Sequence, residues 1–318
     1  MDETDQPLEA MLADAPKNWG RWGDDDEIGA LNLLGPTEVV RAARLVRTGQ
    51  VLPLGLGIGD ARGEPILPGR APSLRLNTQD RGHYLAGKAR PLAGGFEYAD
   101  DFLMMCPQGS TQVDALAHAW YGDQVWNGYP AASTVGSLQK ASVAAIAAHG
   151  LVGRGVLLDI ARHRGVGNLD RDEVFTVEEL DAVAAAQGVE LRPGDMLLVR
   201  TGWLGVYYRE GPEAFYGDRF TEPGMLATPA VPEWFRAQDI VAYGTDTITN
   251  ELGTGPYAGT GLHAALMRNL GVVFVEMLAL DELAEACAAD GVWDFLFVCS
   301  PLRLHGATGS PVNPLALR

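Results

Sequence analysis

Short apolar runs alternate with helix-like segments through the second half of this chain, and that alternation is what most limits the folds open to it. The apolar runs have the length of buried strands and are bounded by glycine or charged residues. They lie at 155–161, 196–200, 240–243, 272–275 and 295–299, and the helix-like segments lie at 176–187, 263–269 and 280–288. Strands that alternate with helices predict an α/β domain built on a mixed β-sheet.

The first half of the chain gives weaker signals of secondary structure. Thr37 is placed to cap a helix over 38–47. Short strands are expected at 51–56 and 102–105, whereas no period persists between 69 and 99.

The length of 318 residues allows one large domain or two ordinary ones. No linker divides residues 19–318. Residues 1–18 are polar and contain proline, and they predict a mobile or extended N-terminal arm.

Composition excludes several classes of partner. The formal net charge of −17 opposes binding to nucleic acid, which depends on clustered lysine and arginine. No apolar run approaches the roughly 20 residues of a membrane-spanning helix, and the acidic N-terminus lacks the features of a secretory signal. The three cysteines show neither a metal-binding nor a disulfide pattern, which fits a reducing compartment, so a cytoplasmic location is expected. No glycine-rich phosphate loop is evident, and no nucleotide cofactor is implied.

One segment, 108–118, concentrates the polar side chains that could carry chemistry. Gln108, Gln112, Asp114 and His118 share parity, so an extended chain would project all four to one face. A helical turn after Asp114 would still keep His118 beside it. Because imidazole titrates nearest neutral pH, His118 is the candidate acid/base, the alternative being a structural histidine in a polar core.

The same segment resembles the signature His-x-Gly-Thr-His-x-Asp-x-x-x-His of the cyclase family, which includes bacterial kynurenine formamidases and isatin hydrolases. Ser110 and Thr111 take the Gly-Thr positions, but Gln108 and Gln112 stand where the family has histidine. The resemblance continues at 194–203, 262–276 and 301–311, so that it covers nearly the whole chain.

This resemblance implies that residues 19–318 form a single catalytic domain with a β-barrel-like core flanked by helices. It also implies a homodimer or homotetramer. It also implies two sets of metal ligands, the first being Gln108, Gln112 and Asp114. The second set is Asp114, His263 and Glu276, and His118 is the implied acid/base. Without the resemblance, His263 and Glu276 would more often be an ordinary helix-end histidine and strand-end carboxylate.

Three interpretations of the metal site remain open at the level of sequence. Amide oxygens are weak ligands for zinc, so the first ligand set is damaged while the second is complete. One divalent ion, zinc or manganese, would then bind Asp114, His263 and Glu276. Alternatively the pocket holds no metal, and Gln108 and Gln112 act as polar clamps on a substrate. The third interpretation is a degenerate pocket without chemistry.

Aromatic residues cluster after the motif and near the N-terminus. Trp120, Tyr121 and Trp126 follow His118, and Trp22 lies in a second aromatic segment. Trp120, Tyr121 and Trp126 are candidates for a substrate-binding wall, because planar rings are recognised by stacked rings. Trp22 is a candidate substrate-binding residue that could reach the pocket of a neighbouring subunit. Plain packing in the core is an equally open interpretation for each.

Three functions compete. The leading hypothesis is a hydrolase of a cyclic or aryl amide, similar to an arylformamidase, or of a lactone, with a small-molecule substrate. The second is a metal-independent cyclase, dehydratase or isomerase of natural-product biosynthesis, in which the glutamines orient substrate carbonyls. The third is a non-catalytic protein that retains only ligand binding.

Overall fold

A nine-stranded mixed sheet organises the protein, whose computed structural model describes residues 8–251 and 261–318. The strands are β1 Val51–Pro53, β2 Leu74–Gln79, β3 Asp100–Met104, β4 Gln112–Asp114, β5 Leu151–Asp159, β6 Val174–Phe175, β7 Met196–Arg200, β8 Gly224–Met225, β9 Ala242–Thr245, β10 Val273–Glu276, β11 Asp294–Cys299, β12 Gly309–Pro311 and β13 Leu315–Leu317. The large sheet has the order β1-β13-β11-β5-β7-β9-β10-β4-β12, while β2 pairs with β3 and β6 with β8. Strands β5, β7, β9 and β10 run parallel to one another, and the strands on either side of them are antiparallel.

The ends of the large sheet must curl towards each other. Strands β12 and β13 are separated by only three residues, 312–314. Yet β12 is an edge strand, and seven inter-strand steps separate it from β13 in the sheet order. Seven steps would span about 34 Å in a flat sheet, whereas the connection reaches about 14 Å at most. The sheet is therefore a curled half-barrel, as the β-barrel-like prediction requires.

Helices flank this half-barrel. They are α1 Leu8–Met11, α2 Pro36–Ala43, α3 Arg81–Leu85, α4 Val143–His149, α5 Ile160–His163, α6 Val177–Gln187, α7 Trp203–Glu210, α8 Pro212–Tyr216, α9 Ala230–Gln238 and α10 Asp281–Asp290. Short 3₁₀ segments occur at Gly29–Leu33, Ala93–Gly95, Trp126–Gly128 and Ala131–Thr134, and His263–Arg268 is a π-helix. Helices α2 and α6 both pack on β5, whose last five residues are fully buried. The predicted α/β fold class is thereby confirmed.

Local signals located some elements closely. Strand β7 has the predicted bounds, and Thr176 caps α6 by accepting the backbone N–H of Glu179. Helix α2 begins earlier than predicted, because Gly35 rather than Thr37 is its N-cap and Pro36 takes the first helical position. The segment between 69 and 99, which showed no period, contains β2 and α3.

The structure describes only part of the predicted N-terminal arm, because residues 1–7 lie outside the described part of the chain. Helix α1 opens the described part, and Leu12 after it is buried against Ala264 and Ala265. That residues 1–18 form a separate arm stays a prediction. Among the described residues, no helix combines the length and apolar character needed to span a membrane.

Candidate active site

Strand β4 brings the motif residues to the middle of a cross-strand group. It lies between β10 and β12, antiparallel to both, and Gln112 is directly opposite Glu276. Asp114 is two residues further and faces the same side of the sheet, opposite Gly309. Glu276 is the last residue of β10, so the group forms where a strand of the parallel set ends. Ligand sites of α/β sheets favour that edge.

Three residues from distant parts of the sequence form a compact buried cluster. Ligand atoms of Asp114, His263 and Glu276 all lie within 4.8 Å of one another. The Nε2 atom of His263 is 3.5 Å from Glu276 Oε1 and 4.0 Å from Asp114 Oδ2. Asp114 is fully buried and Glu276 is 2% exposed, whereas His263 is 9% exposed. We refer to these three residues as the acid–histidine cluster.

The acid–histidine cluster has the donor set of a metal site. Both carboxylate oxygens of Asp114 and Oε1 of Glu276 are buried without a hydrogen-bond partner. A buried carboxylate without a partner is costly, and a cation would offset that cost. Two carboxylates and an imidazole are ligands that zinc and manganese accept. The residues present therefore fit one divalent ion.

Glu251 fixes the orientation of the His263 ring, and sequence reasoning did not identify it. One of its carboxylate oxygens contacts Nδ1 of His263, and the other accepts the backbone N–H of Leu262 at 2.8 Å. Nε2 is thereby directed at the two carboxylates. Burial lowers the pKa of His263. The carboxylates of Glu251 and then Glu276 together raise it by more than burial lowers it, so the pKa lies well above the ordinary value. A carboxylate on the outer nitrogen is the usual support of a metal-binding histidine.

The two glutamines have different partners. Nε2 of Gln112 donates to Glu276 Oε2 at 2.6 Å, while its carbonyl oxygen is buried without a partner. Gln108 lies in a turn before β4, and its Nε2 donates to Thr308 Oγ1 at 3.0 Å. A side chain at Gly309 would clash with that amide, since a Cβ there would lie 2.5 Å from Gln108 Nε2. The structure thus joins Gln112, but not Gln108, to the cluster by a direct hydrogen bond.

His118 stands at the outer side of the cluster. The turn after β4 places its ring centroid 6.3 Å from that of His263, and the side chain is half-buried. Burial lowers the pKa of His118; Asp114 opposes the shift, and the positive charges of His263 and Arg70 add to it. The imidazole is therefore neutral at neutral pH, which is the state a general base requires.

The environment also shifts the pKa of the Glu276 carboxyl group. Burial, followed by the neighbouring Asp114 carboxylate, raises the pKa of Glu276 to about 7, although His263 and Arg70 act in the opposite direction. Arg70 is held at the site by a hydrogen bond from Nη1 to the carbonyl of Gln108, at 2.8 Å. Two close carboxylates with one raised pKa are typical of functional sites.

An open cleft of about 240 Å³ leads away from His118. Apolar surface from Leu8, Ala119, Trp120 and Ala264 lines it together with the imidazole. Ala264 directly follows His263 in the sequence, so the cleft adjoins the acid–histidine cluster. Its small size and apolar lining suit a small, largely apolar ligand.

The predicted aromatic wall is only partly assembled. Trp120 lines the cleft and is 43% exposed. Tyr121 is held by Asn269 and lies under the guanidinium of Arg268, at 3.8 Å from the ring centroid.

The other two predicted aromatics belong to the packing near the N-terminal segment. Trp126 is fully buried, donates to Asp26 Oδ2 at 3.2 Å and packs against Trp22, with ring centroids 6.3 Å apart. Among the described residues neither ring stacks on or hydrogen-bonds to a member of the acid–histidine cluster, so Trp126 does not join the site. A contribution of Trp22 to the pocket of a neighbouring subunit stays a prediction.

Comparisons with known proteins agree with this architecture. The family model named Cyclase matches residues 54–251. A solved structure described as a novel cyclase is 36% identical, with a TM-score of 0.86 over 95% of this chain and 100% of the other. A search of curated protein sequences finds no significant match.

More distant structures share the fold. Isatin hydrolase A from Labrenzia aggregata, bound to benzyl benzoate, is 20% identical with a TM-score of 0.60, covering 88% of this chain and 97% of that one. A predicted metal-dependent hydrolase from Bacillus stearothermophilus is 16% identical with a TM-score of 0.53, covering 84% of this chain and 97% of that one. The match of the family model over more than half of the chain, together with the identity to the solved cyclase, shows that this protein is a member of the cyclase family.

Proposed function

We propose that this protein hydrolyses a small cyclic or aryl amide, or a lactone, with His118 as acid/base and one divalent ion at Asp114, His263 and Glu276. The observation that carries the proposal is the set of unpartnered carboxylate oxygens in the acid–histidine cluster, with the imidazole of His118 at its outer side and an apolar cleft next to it. The distant structural relatives described as isatin hydrolase and metal-dependent hydrolase support the same class of reaction.

The chain supplies the groups that such a reaction needs. Neutral His118 accepts a proton from water while the water oxygen attacks the substrate carbonyl carbon. The protonated imidazole then returns that proton to the leaving nitrogen or oxygen as the carbon–nitrogen or carbon–oxygen bond breaks. A divalent ion, when bound, supplies Lewis-acid polarisation and favours ionisation of water. No serine or cysteine nucleophile is needed for these steps.

Glu251 and Gln112 act as positioning residues in this proposal. Glu251 keeps Nε2 of His263 directed at the carboxylates, and Gln112 holds one oxygen of Glu276 by its amide N–H. The free carbonyl oxygen of Gln112 is an acceptor that a substrate N–H can satisfy. Trp120 and Leu8 provide the apolar surface on which a small ring would lie.

The test combines metal analysis with turnover. Elemental analysis of the purified protein is expected to give one divalent ion per chain. Turnover of a panel of aryl formamides, cyclic amides and aryl lactones should disappear on chelation and return with manganese or zinc. Two fully occupied metal positions would contradict the single site. Turnover that survives complete removal of metal would favour the metal-independent cyclase or isomerase instead.

A further inference from the structure

Arg70 differs from the other cations in the interior of this chain. All 24 lysine and arginine residues lie in the described part of the chain, and eight of them are buried or half-buried. Arg171 donates to four main-chain carbonyls, while Arg268 lies against two aromatic rings and donates two hydrogen bonds. Five more pair with a carboxylate, namely Lys140, Arg154, Arg164, Arg200 and Arg318. Arg70 is the eighth and has neither kind of environment.

The guanidinium of Arg70 has a single partner among the described residues. Its Nη1 donates to the main-chain carbonyl of Gln108 at 2.8 Å, and it forms no ion pair with a described carboxylate. Because a guanidinium carries five N–H donors, most of the donors of Arg70 remain free. Donors that are half-buried without acceptors are unfavourable. A ligand that brings acceptor oxygens would remove that cost.

The position of Arg70 is fixed from two sides. Arg70 ends a loop that Tyr216 holds, since the Tyr216 hydroxyl accepts the N–H of Ile66 at 2.7 Å and donates to the carbonyl of the same residue at 2.9 Å. Gln108, the partner of the guanidinium, is itself held by Thr308. The free N–H groups of Arg70 are therefore pre-organised for binding, which lowers the entropy that a ligand must lose.

Arg70 lies beside the proposed reaction centre. Burial and nearer charges dominate the pKa values of His118 and Glu276, but the positive charge of Arg70 lowers both. A guanidinium that only balanced the buried acids would pair with one of them, whereas Arg70 pairs with none of those described. Arg70 is also absent from the lining of the apolar cleft. It is thus placed to contact a different part of a ligand from the part that enters the cleft.

The free donors of Arg70 indicate the chemistry of that part. The planar guanidinium matches the two oxygens of a carboxylate, and such pairs are stronger than bonds to a neutral carbonyl. The formal charge of −17 repels anions from most of the protein. An anionic ligand therefore needs a cation that no protein carboxylate neutralises, and Arg70 supplies one next to the site.

We propose that Arg70 binds a carboxylate of the substrate and thereby selects amides or lactones that carry a free carboxylate in addition to the scissile bond. The carboxylate would lie at Arg70, the scissile carbonyl at His118 and the acid–histidine cluster, and an apolar part in the cleft. The substrate class rests on the proposed function, but binding of a carboxylate at Arg70 can be measured without turnover.

Kinetics with two matched compounds test the selection. The carboxylate 2-formamidobenzoate and its carboxamide, 2-formamidobenzamide, have nearly the same shape and differ in charge. Arg70→Gln should lower kcat/KM for the carboxylate roughly 10- to 100-fold, mainly through KM, and change it little for the carboxamide. Arg62→Gln is the control, because it removes the same charge from an exposed residue that pairs with Asp60. It should leave both rates unchanged.

Calorimetric titration with benzoate and benzamide measures the same contact without a reaction. The wild-type protein should bind benzoate more tightly, and Arg70→Gln should weaken benzoate roughly 10- to 100-fold without affecting benzamide. Arg70→Lys keeps the charge but not the planar fork, so it should retain part of the preference. A protein that hydrolyses none of the amides or lactones but prefers benzoate through Arg70 would contradict the proposed function and support the carboxylate site.

Three results would overturn the proposal. The first is a wild-type protein that does not favour benzoate over benzamide. The second is unchanged benzoate binding in Arg70→Gln. The third is an equal loss of kcat/KM for 2-formamidobenzoate and 2-formamidobenzamide in Arg70→Gln, which would assign the guanidinium to the reacting carbonyl oxygen that the two compounds share.

Discussion

Gln112 and a histidine at the same position would meet Glu276 in different ways. The carboxamide donates an N–H to Glu276 and keeps a second, separate acceptor oxygen. A neutral imidazole also has one donor and one acceptor, but they lie on opposite edges of a rigid ring. At this position the amide N–H therefore gives Glu276 a neutral hydrogen-bond donor. The amide oxygen presents a hydrogen-bond acceptor to the same pocket.

Gln112→His should accordingly reduce kcat/KM by roughly 10- to 100-fold even with metal supplied, which is the effect of losing a hydrogen bond to a charged group. Gln108→His is the comparison variant, because the amide of Gln108 is bound to Thr308 instead. Kinetics with each variant in excess metal measure the difference. A Gln108→His, Gln112→His double variant that binds two zinc ions and keeps the parental rate would show that the glutamines have no role of their own.

His118→Ala should lower kcat on the order of 10²–10⁴-fold and leave both the fold and the metal content unchanged. His305→Ala, at an exposed position, is the control. The pH profile gives a second readout. Because the pKa of His118 is lowered below 6.5, wild-type kcat/KM should decline only on the acid side of that value and stay level above it. Near-parental activity of a folded His118→Ala variant would remove the imidazole from the proposed mechanism.

At the scale of elements, buried carboxylates hold the loop that follows β9. Asp246 accepts the backbone N–H groups of Thr201 and Gly202, which joins the carboxyl ends of β7 and β9. Glu222 then accepts the backbone N–H groups of Ile248 and Thr249. The loop reaches Glu251, which holds the start of the π-helix at His263. π-Helical turns are frequent at functional sites, and here the turn carries a cluster residue.

Glu251→Gln should weaken metal binding about 10- to 100-fold, because the outer nitrogen of a metal-binding histidine loses its charged partner. Isothermal titration with manganese or zinc measures the affinity. Glu222→Gln is a useful comparison, since Glu222 contacts the same loop but not His263, and it should change the affinity much less. Equal affinity of the wild-type protein and Glu251→Gln would mean that this carboxylate does not orient His263 towards a metal.

The sequence located the elements whose signals are local. The apolar run of β7 and the Thr176 cap of α6 are complete in a few consecutive residues. Strand β12 was missed, because Gly309–Pro311 becomes a strand only by pairing with β4, far away in sequence. The contact between Glu251 and His263 could not be predicted either, because no rule of sequence spacing indicates it. Asp114, His263 and Glu276 were grouped by family resemblance rather than by any property of their separate segments.

For the whole molecule, buried acids determine how stability depends on pH. Burial raises the pKa of Glu222 to about 8 and that of Asp246 to about 6. In the unfolded chain these groups lose their protons near 4.5 and 3.8. Between those limits the folded protein holds more protons than the unfolded one, so the free energy of unfolding falls as pH rises. The lowered pKa of His118 has the opposite effect on the free energy of unfolding. It involves one proton, whereas Glu222 and Asp246 together involve two.

The metal-free protein should therefore be less stable at pH 8.5 than at pH 5.5, with Glu222 contributing on the order of a few kcal/mol. Urea unfolding in the presence of a chelator measures the difference. Glu222→Gln cannot ionise, so the decrease in stability should be smaller in this variant, while Glu210→Gln at an exposed position is the control. A decrease of the same size in the wild-type protein and Glu222→Gln would contradict this assignment.

The closure of the half-barrel by β12 and β13 also bears on how the protein is made. Gly309 completes the wall opposite Asp114, and Leu315–Leu317 pairs with both β1 and β11. During translation these residues are joined after all the other strands of the sheet. The earlier strands can collapse beforehand, but the sheet stays open along two seams until then. A nascent chain therefore exposes unpaired strand edges during synthesis, when assistance from a chaperone would have its greatest effect.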